Sequence, residues 1–227
     1  MSVYVEILVR APIDVLWSHT QTPALHERWD LRFSTIEYLC NSSDELSQQF
    51  RYATRLGFGL EISGYGETLG RRDTSDGSST STLKFGSNEP LSLIREGGGY
   101  WKYVPTADGT RFLTRYDYQT RFGRAGALFD RVIFCRLIGW ATAWSFDRLR
   151  LWLEERVDPA RAARNMLIHT VARSALVLVL AYRGMVASSW TGSCAAFAAL
   201  LLVVWPRRWP GVPSARRCVR RPRVDRP

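Results

Sequence analysis

Gly123–Arg156 reads GRAGALFDRVIFCRLIGWATAWSFDRLRLWLEER, a stretch without proline. Phe129, Ile133, Leu137, Trp140, Trp144 and Leu151 recur at helical spacings, which at ~100° per residue places them on one stripe. Between Val132 and Phe146 only Arg136 is charged, and a helix apolar on most sides is buried against several neighbours or touches lipid. Charge returns at Asp147–Arg150 and Glu154–Arg156, as expected where a helix reaches water. The stretch predicts one long helix clasped by something broad.

The cover lies upstream. Val3, Val5, Ile7 and Val9 alternate with Tyr4, Glu6, Leu8 and Arg10, the period-2 pattern of a strand. Pro12 opens a short helix and Pro23 restarts a second, ALHERW. Strands are expected at Arg32–Leu39, Gln48–Thr54, Leu60–Leu69, Ser79–Phe85, Leu91–Tyr103 and Thr110–Arg121, joined by Gly-, Asp-, Asn- and Pro-bearing reversals suited to antiparallel neighbours. Gly64, Gly66 and Gly97–Gly99 fall inside these strands and are read as bulges or bends of a curved sheet. One strand, two short helices, about six strands and a long helix make the class α+β.

At this point the chain resembles the Bet v 1-like, START-related SRPBCC superfamily, also labelled polyketide cyclase/dehydrase-like. VEILVRAPIDVLWSHTQTPALHERWD looks like the family's first strand and helix pair, and GALFDRVIFCRLIGWATAWSFDRLRLWLE like its closing helix. The resemblance covers residues 2–156. It implies a helix-grip fold, a curved antiparallel sheet around a long C-terminal helix, on which lipid carriers, hormone receptors, cyclases and oxygenase subunits are all built. Fold therefore does not stand in for function.

Phe112, Thr114, Tyr116 and Tyr118 share one face of the last strand. With Trp101 and Tyr103 from the strand before, and Ile133, Leu137, Trp140 and Trp144 from the helix, they are the candidates to line an apolar cavity with hydroxyl anchors. The alternative is that these aromatics fill a core. His19 and His26 are separated by Pro23 and read as ordinary polar residues; Trp29 and Asp30 end the second short helix at the expected mouth. No catalytic nucleophile, phosphate loop or supported acid pair appears, so catalytic residues stay unassigned and the chain reads as a binder rather than an enzyme. Cys40, Cys135, Cys194 and Cys218 are too dispersed for a metal site or disulfide framework, and no metal or cofactor is expected.

Charge divides the chain. Residues 1–165 carry 21 Lys+Arg against 20 Asp+Glu, whereas residues 166–227 carry 10 Arg against Asp225 alone. Ser174–Tyr182 is uncharged, Arg183 interrupts, and Gly184–Pro206 is uncharged again. A bilayer crossing takes ~20 apolar residues, so residues 159–206 are read as a helical membrane segment, a two-helix hairpin turning near Ala187–Gly192, with Trp190, Trp205 and Trp209 as interfacial anchors. RSALVLVLAYRGM faintly resembles the first membrane helix of DoxX-like proteins. Residues 207–227, rich in arginine and poor in apolar residues, are expected to be disordered and to attract anionic lipid rather than nucleic acid.

The domains are thus 1–158, ligand-binding; 159–206, membrane; and 207–227, a basic tail. The amino terminus lacks a signal peptide, so the first domain and the tail are both placed in the cytoplasm, at a membrane. The leading function is binding or transfer of a hydrophobic small molecule, lipid or polyketide-like. The alternatives are a cyclase/aromatase or dehydratase using Thr114, Tyr116 and Tyr118, and an interaction subunit for a membrane-protein partner.

Overall fold

A computed structural model describes residues 2–39, 48–57, 59–186, 190–204 and 209–222. Strand β1 (Ser2–Val9) leads into helices α1 (Ile13–Gln21) and α2 (Pro23–Trp29). Strands β2 (Thr35–Tyr38), β3 (Gln48–Gly57), β4 (Leu60–Asp73), β5 (Ser79–Gly86), β6 (Ile94–Thr106) and β7 (Gly109–Thr120) follow. They form one antiparallel sheet in the order β1-β7-β6-β5-β4-β3-β2, a meander whose last strand is flanked by the first. A long C-terminal helix lies against this sheet, so the fold is α+β and helix-grip.

The strand glycines act differently from the expected bends. Gly64 and Gly66 face Tyr52 and Phe50 across the β3–β4 ladder, and a Cβ at either position would meet the opposite ring at 2.3 or 2.2 Å. The glycines let those rings lie flat on the sheet. The register shifts fall elsewhere, between Arg55 and Gly57, Thr68 and Arg71, and Ile94 and Glu96.

The helix expected to be continuous from Gly123 to Arg156 is three pieces: α3 (Gly123–Phe129), a π-helical turn (Asp130–Phe134) and α4 (Cys135–Glu155). In the wide turn the buried Asp130 accepts a hydrogen bond from Tyr118 Oη at 2.6 Å. The apolar stripe is split along its length. Trp144 is 5% exposed and Leu151 fully buried, but Phe129, Ile133 and Leu137 are 48%, 50% and 55% exposed, because among the described residues little packs on that side of the helix ahead of Ile138.

Helix α5 (Pro159–Val186) turns back along α4. Arg148 Nη2 donates to the carbonyls of Arg28 (2.9 Å) and Pro159 (3.0 Å), tying α2, α4 and α5 together. Burial pulls the Arg148 guanidinium down to about 10, still charged at neutral pH. Among the described residues α5 is the one helix long and apolar enough to cross a membrane; α6 (Trp190–Val204) packs beside it and at 15 residues is ~22 Å long. The expected turn at Ser188 and Ser189, and the anchor Trp205, lie outside the described residues.

The tail departs from the expected disorder over residues 209–222. Trp209 meets His169 edge-on at 5.2 Å, Val212, Ser214, Ala215 and Cys218 are buried, and Glu6 and Val219 exchange backbone hydrogen bonds of 2.9 Å at the free edge of β1. The buried Asp147 carboxylate accepts from Ser214 N–H (2.6 Å), Arg217 Nη1 (2.9 Å) and Arg150 Nε (2.7 Å). Composition signals disorder for a chain left alone; here a preformed surface supplies the partners. Asp147→Ala would leave the buried Ser214 N–H without its acceptor and free Arg217, while Arg150 keeps Glu154 and Glu155; releasing the strap should cost ~1–3 kcal/mol. Trypsin cleavage at Arg216 and Arg217 should accelerate at the same time; unchanged melting and cleavage would show that Asp147 does not hold the tail.

Candidate functional site

Between the sheet and the first turns of α4 lies a cavity of about 490 Å³. Phe50 and Tyr52 on β3, laid flat by the opposing glycines, form one wall; Leu83, Phe85 and Trp101 continue it across β5 and β6. Thr114 and Tyr116 come from β7, and Leu137, Ile138 and Trp140 from α4, while Leu31 of the α2–β2 connection and Ile36 and Tyr38 of β2 border it.

Its tyrosine hydroxyls are all engaged. Tyr52 Oη donates to Gly86 O (3.2 Å), Tyr38 Oη to Gln21 O (2.8 Å), and Tyr116 Oη shares a 3.1 Å bond with Thr142 Oγ1. Burial raises each hydroxyl, that of Tyr52 to about 12, so all three stay protonated and uncharged at neutral pH. They can orient a ligand and are unsuited to act as bases.

Among the described residues two charged side chains line the cavity: Arg55, exposed and paired with Glu61 (3.0 Å), and a buried one near the end of α2. Arg32 grips Asp30 through Nε (2.9 Å) and Nη2 (2.6 Å), and His26 Nε2 lies 3.0 Å from Asp30 Oδ2. His26 stacks on Trp29 (4.8 Å between centroids) and meets Trp101 edge-on (5.0 Å). Burial alone would raise the Asp30 carboxyl, but the Arg32 charge and the hydrogen bonds from Arg32 and His26 outweigh it and hold the group well below the usual carboxylate range. The cavity therefore contains His26 and a charge-balanced guanidinium.

Of the residues singled out from sequence, Trp101, Thr114, Tyr116, Leu137 and Trp140 line the cavity. Tyr103 and Phe112 are fully buried in the core, Tyr103 bonded to Thr20 Oγ1 (2.6 Å) and Gln21 Nε2 (2.9 Å). Tyr118 binds Asp130, Trp144 donates to Met166 Sδ (2.8 Å) beneath α5, and Ile133 points outward. His26, expected to be an ordinary polar residue, and Arg32, not singled out from sequence, also line the cavity; the readable signal is His26, Asp30 and Arg32 falling within seven residues at a helix end, with Asp30 one turn beyond His26. Among the described residues no cluster of His, Cys, Asp and Glu could hold a metal ion.

Over 212 residues, 91% of this chain and 79% of the relative, the sequence is 46% identical to the uncharacterized membrane protein YndG of Bacillus subtilis strain 168. The chain belongs to the family of YndG. No family model matches it. Similar solved structures include the STAR-related lipid transfer protein of Xanthomonas axonopodis (16% identity, 59% of this chain and 77% of that one, TM-score 0.44). Another is the Zhui aromatase/cyclase of Streptomyces sp. R1128 (15% identity, 66% and 95%, TM-score 0.42).

For this member of the YndG family, Asp30→Ala should cost ~3–5 kcal/mol, since it leaves Arg32 buried without a counter-charge. The pH dependence has a defined sign. A carboxylate depressed in the fold contributes stability that is fully present above its unfolded value of ~3.9 and is lost as pH falls below it. Denaturant midpoints between pH 6 and pH 3 should therefore fall more steeply for the wild type than for Asp30→Ala; equal slopes would show that the pair is not coupled to folding.

Proposed function

We propose that this chain is a membrane-held protein that binds or transfers a hydrophobic small molecule, lipid or polyketide-like, in the helix-grip cavity. One observation carries the reading: an aromatic-walled cavity of about 490 Å³ sits in the same chain as a helix long and apolar enough to cross a membrane. The volume falls in the ~300–1,000 Å³ range of small-molecule sites. Arg32 is neutralised by Asp30 and the tyrosines are uncharged, so the interior favours a neutral ligand with hydrogen-bonding oxygens over a free acid.

A second reading, acid–base chemistry of the cyclase/aromatase or dehydratase kind, is favoured by His26, which lines the cavity with Nε2 held by the buried Asp30. One experiment addresses both. The full chain, purified in detergent and offered a lipid extract or a polyketone, is ejected intact in a mass spectrometer. The wild type should retain an apolar molecule, and Leu83→Trp, which fills the cavity, should lose at least ~tenfold of that occupancy while melting normally. A retained mass altered from the compound offered favours catalysis; equal retention in both proteins, or none in either, removes the binding reading.

We also propose that the N-terminal domain and the tail lie on one side of the membrane, the cytoplasmic one. The support is the strap: Ser214 and Arg217 bond to Asp147, and a chain crossing once would separate them. Eight arginines between Arg207 and Arg226 fit the cytoplasmic bias of basic flanks. Reporters fused before Met1 and after Pro227 should both read as cytoplasmic in vivo; opposite readings would establish a single crossing.

A further inference from the structure

Helix α5 sets the height of a bilayer against the N-terminal domain. Arg148 touches Pro159 and Trp144 touches Met166, so advancing along α5 means retreating along α4. The two helices run in opposite senses with inclined axes, since between those contacts α4 is followed for four residues and α5 for seven. Continued at that ratio, the uncharged run Ser174–Tyr182 of α5 is level with about Gly139 to Cys135 of α4, on a rise of ~1.5 Å per helical residue. The stretch where α5 is apolar therefore faces the first turn of α4, and the π-helical turn and α3 continue in the same direction.

At that level the domain presents an unusual surface. Phe122, Leu128, Phe129, Val132, Ile133 and Leu137 are 48–65% exposed, values typical of residues with nothing packed on them. Arg124, Arg131 and Arg136 are exposed among them. Asp130, the one acid between residues 122 and 146, is buried against Tyr118 and contributes no exposed negative charge. Leu137 also lines the cavity, so the apolar surface runs on into the mouth.

We propose that Phe122–Leu137 is a docking surface for an anionic lipid bilayer, which sets the cavity mouth against the headgroups. An apolar face bearing only cations complements a negatively charged leaflet. The same chain brings that leaflet to the right height through α5. This inference rests on the membrane reading of α5 and is independent of what the cavity binds.

The test uses the full chain reconstituted into phosphatidylcholine vesicles with about one-third phosphatidylglycerol, an anionic fraction that supplies the attraction at issue. A trace lipid carrying a diazirine in its upper acyl chain is photolysed, and adducts are mapped by peptide mass spectrometry. Adducts are expected in 122–137 and in 174–204, with none at the β6–β7 turn around Asp108. That turn lies by Ala11, near where Arg10 meets Glu154 at the far end of α4. In Arg124→Gln/Arg131→Gln/Arg136→Gln the 122–137 adducts should fall at least ~tenfold, from three attractions of a few-fold each, while those in 174–204 persist. Raised salt should do the same to the wild type without any substitution.

Labelled 174–204 with clean 122–137 overturns the docking surface and leaves the membrane reading standing. No adducts in either segment overturns both. Labelling of 122–137 that is equal in pure phosphatidylcholine overturns the anionic selectivity, and photocrosslinking of 122–137 to another protein in native membranes, in place of lipid, would assign the surface to that partner.

Discussion

Three rings hold the long helix to the sheet. Tyr103 stacks on Phe112 at 5.0 Å and Phe112 on Phe146 at 4.4 Å, all three fully buried. Such pairs contribute ~0.5–1.5 kcal/mol each beyond their area burial. Trp29 packs against Phe146 at 6.1 Å and extends the contact to α2. The stack grips α4 through its second half only. Ahead of it the helix still touches β1 and β7, through Cys135 and Thr142, but faces β3 and β5 across the cavity and is exposed on its outer side, which is how a cavity and an apolar flank arise from one element.

Two buried carboxylates organise what the apolar core leaves free. Asp30 and Asp147 both have fully buried side chains, and each is answered by arginine. Burying an ion pair costs about as much desolvation as the pairing returns, so such pairs place groups more than they stabilise them. Asp30 holds His26 and Arg32 at the cavity wall. Asp147 draws the tail back over α4, and with it fixes that the chain entering α5 and the chain leaving α6 return to one domain.

The geometry of the cavity follows from small residues as much as from large ones. Gly64 and Gly66 leave no side chain on the concave face, so Tyr52 and Phe50 lie along the sheet instead of standing into the interior. The open volume is the space that cross-strand aromatic–glycine pairs leave.

Local pattern was enough for the elements. Period-2 alternation in Val3–Val9 and Thr110–Arg121, Pro12 and Pro23 at helix starts, and the proline-free apolar stretch before Arg156 carried the α+β order, because strand and helix periodicities are properties of neighbouring residues; the helix-grip class came with the family resemblance. The uncharged runs after Met166 likewise announced the apolar helices. Which stripe residues would be covered was beyond that pattern, since cover comes from elements distant in sequence: Met166 of α5 meets Trp144, while Leu137, two turns earlier on the same helix, is 55% exposed. The grouping of five expected residues with His26 and Arg32 around one cavity depended on strand register. The tail shows the same division most plainly. Its composition describes a chain with no partner, whereas Asp147, some seventy residues away, supplies one; contacts of that range are set by the folded surface and leave no local trace in sequence.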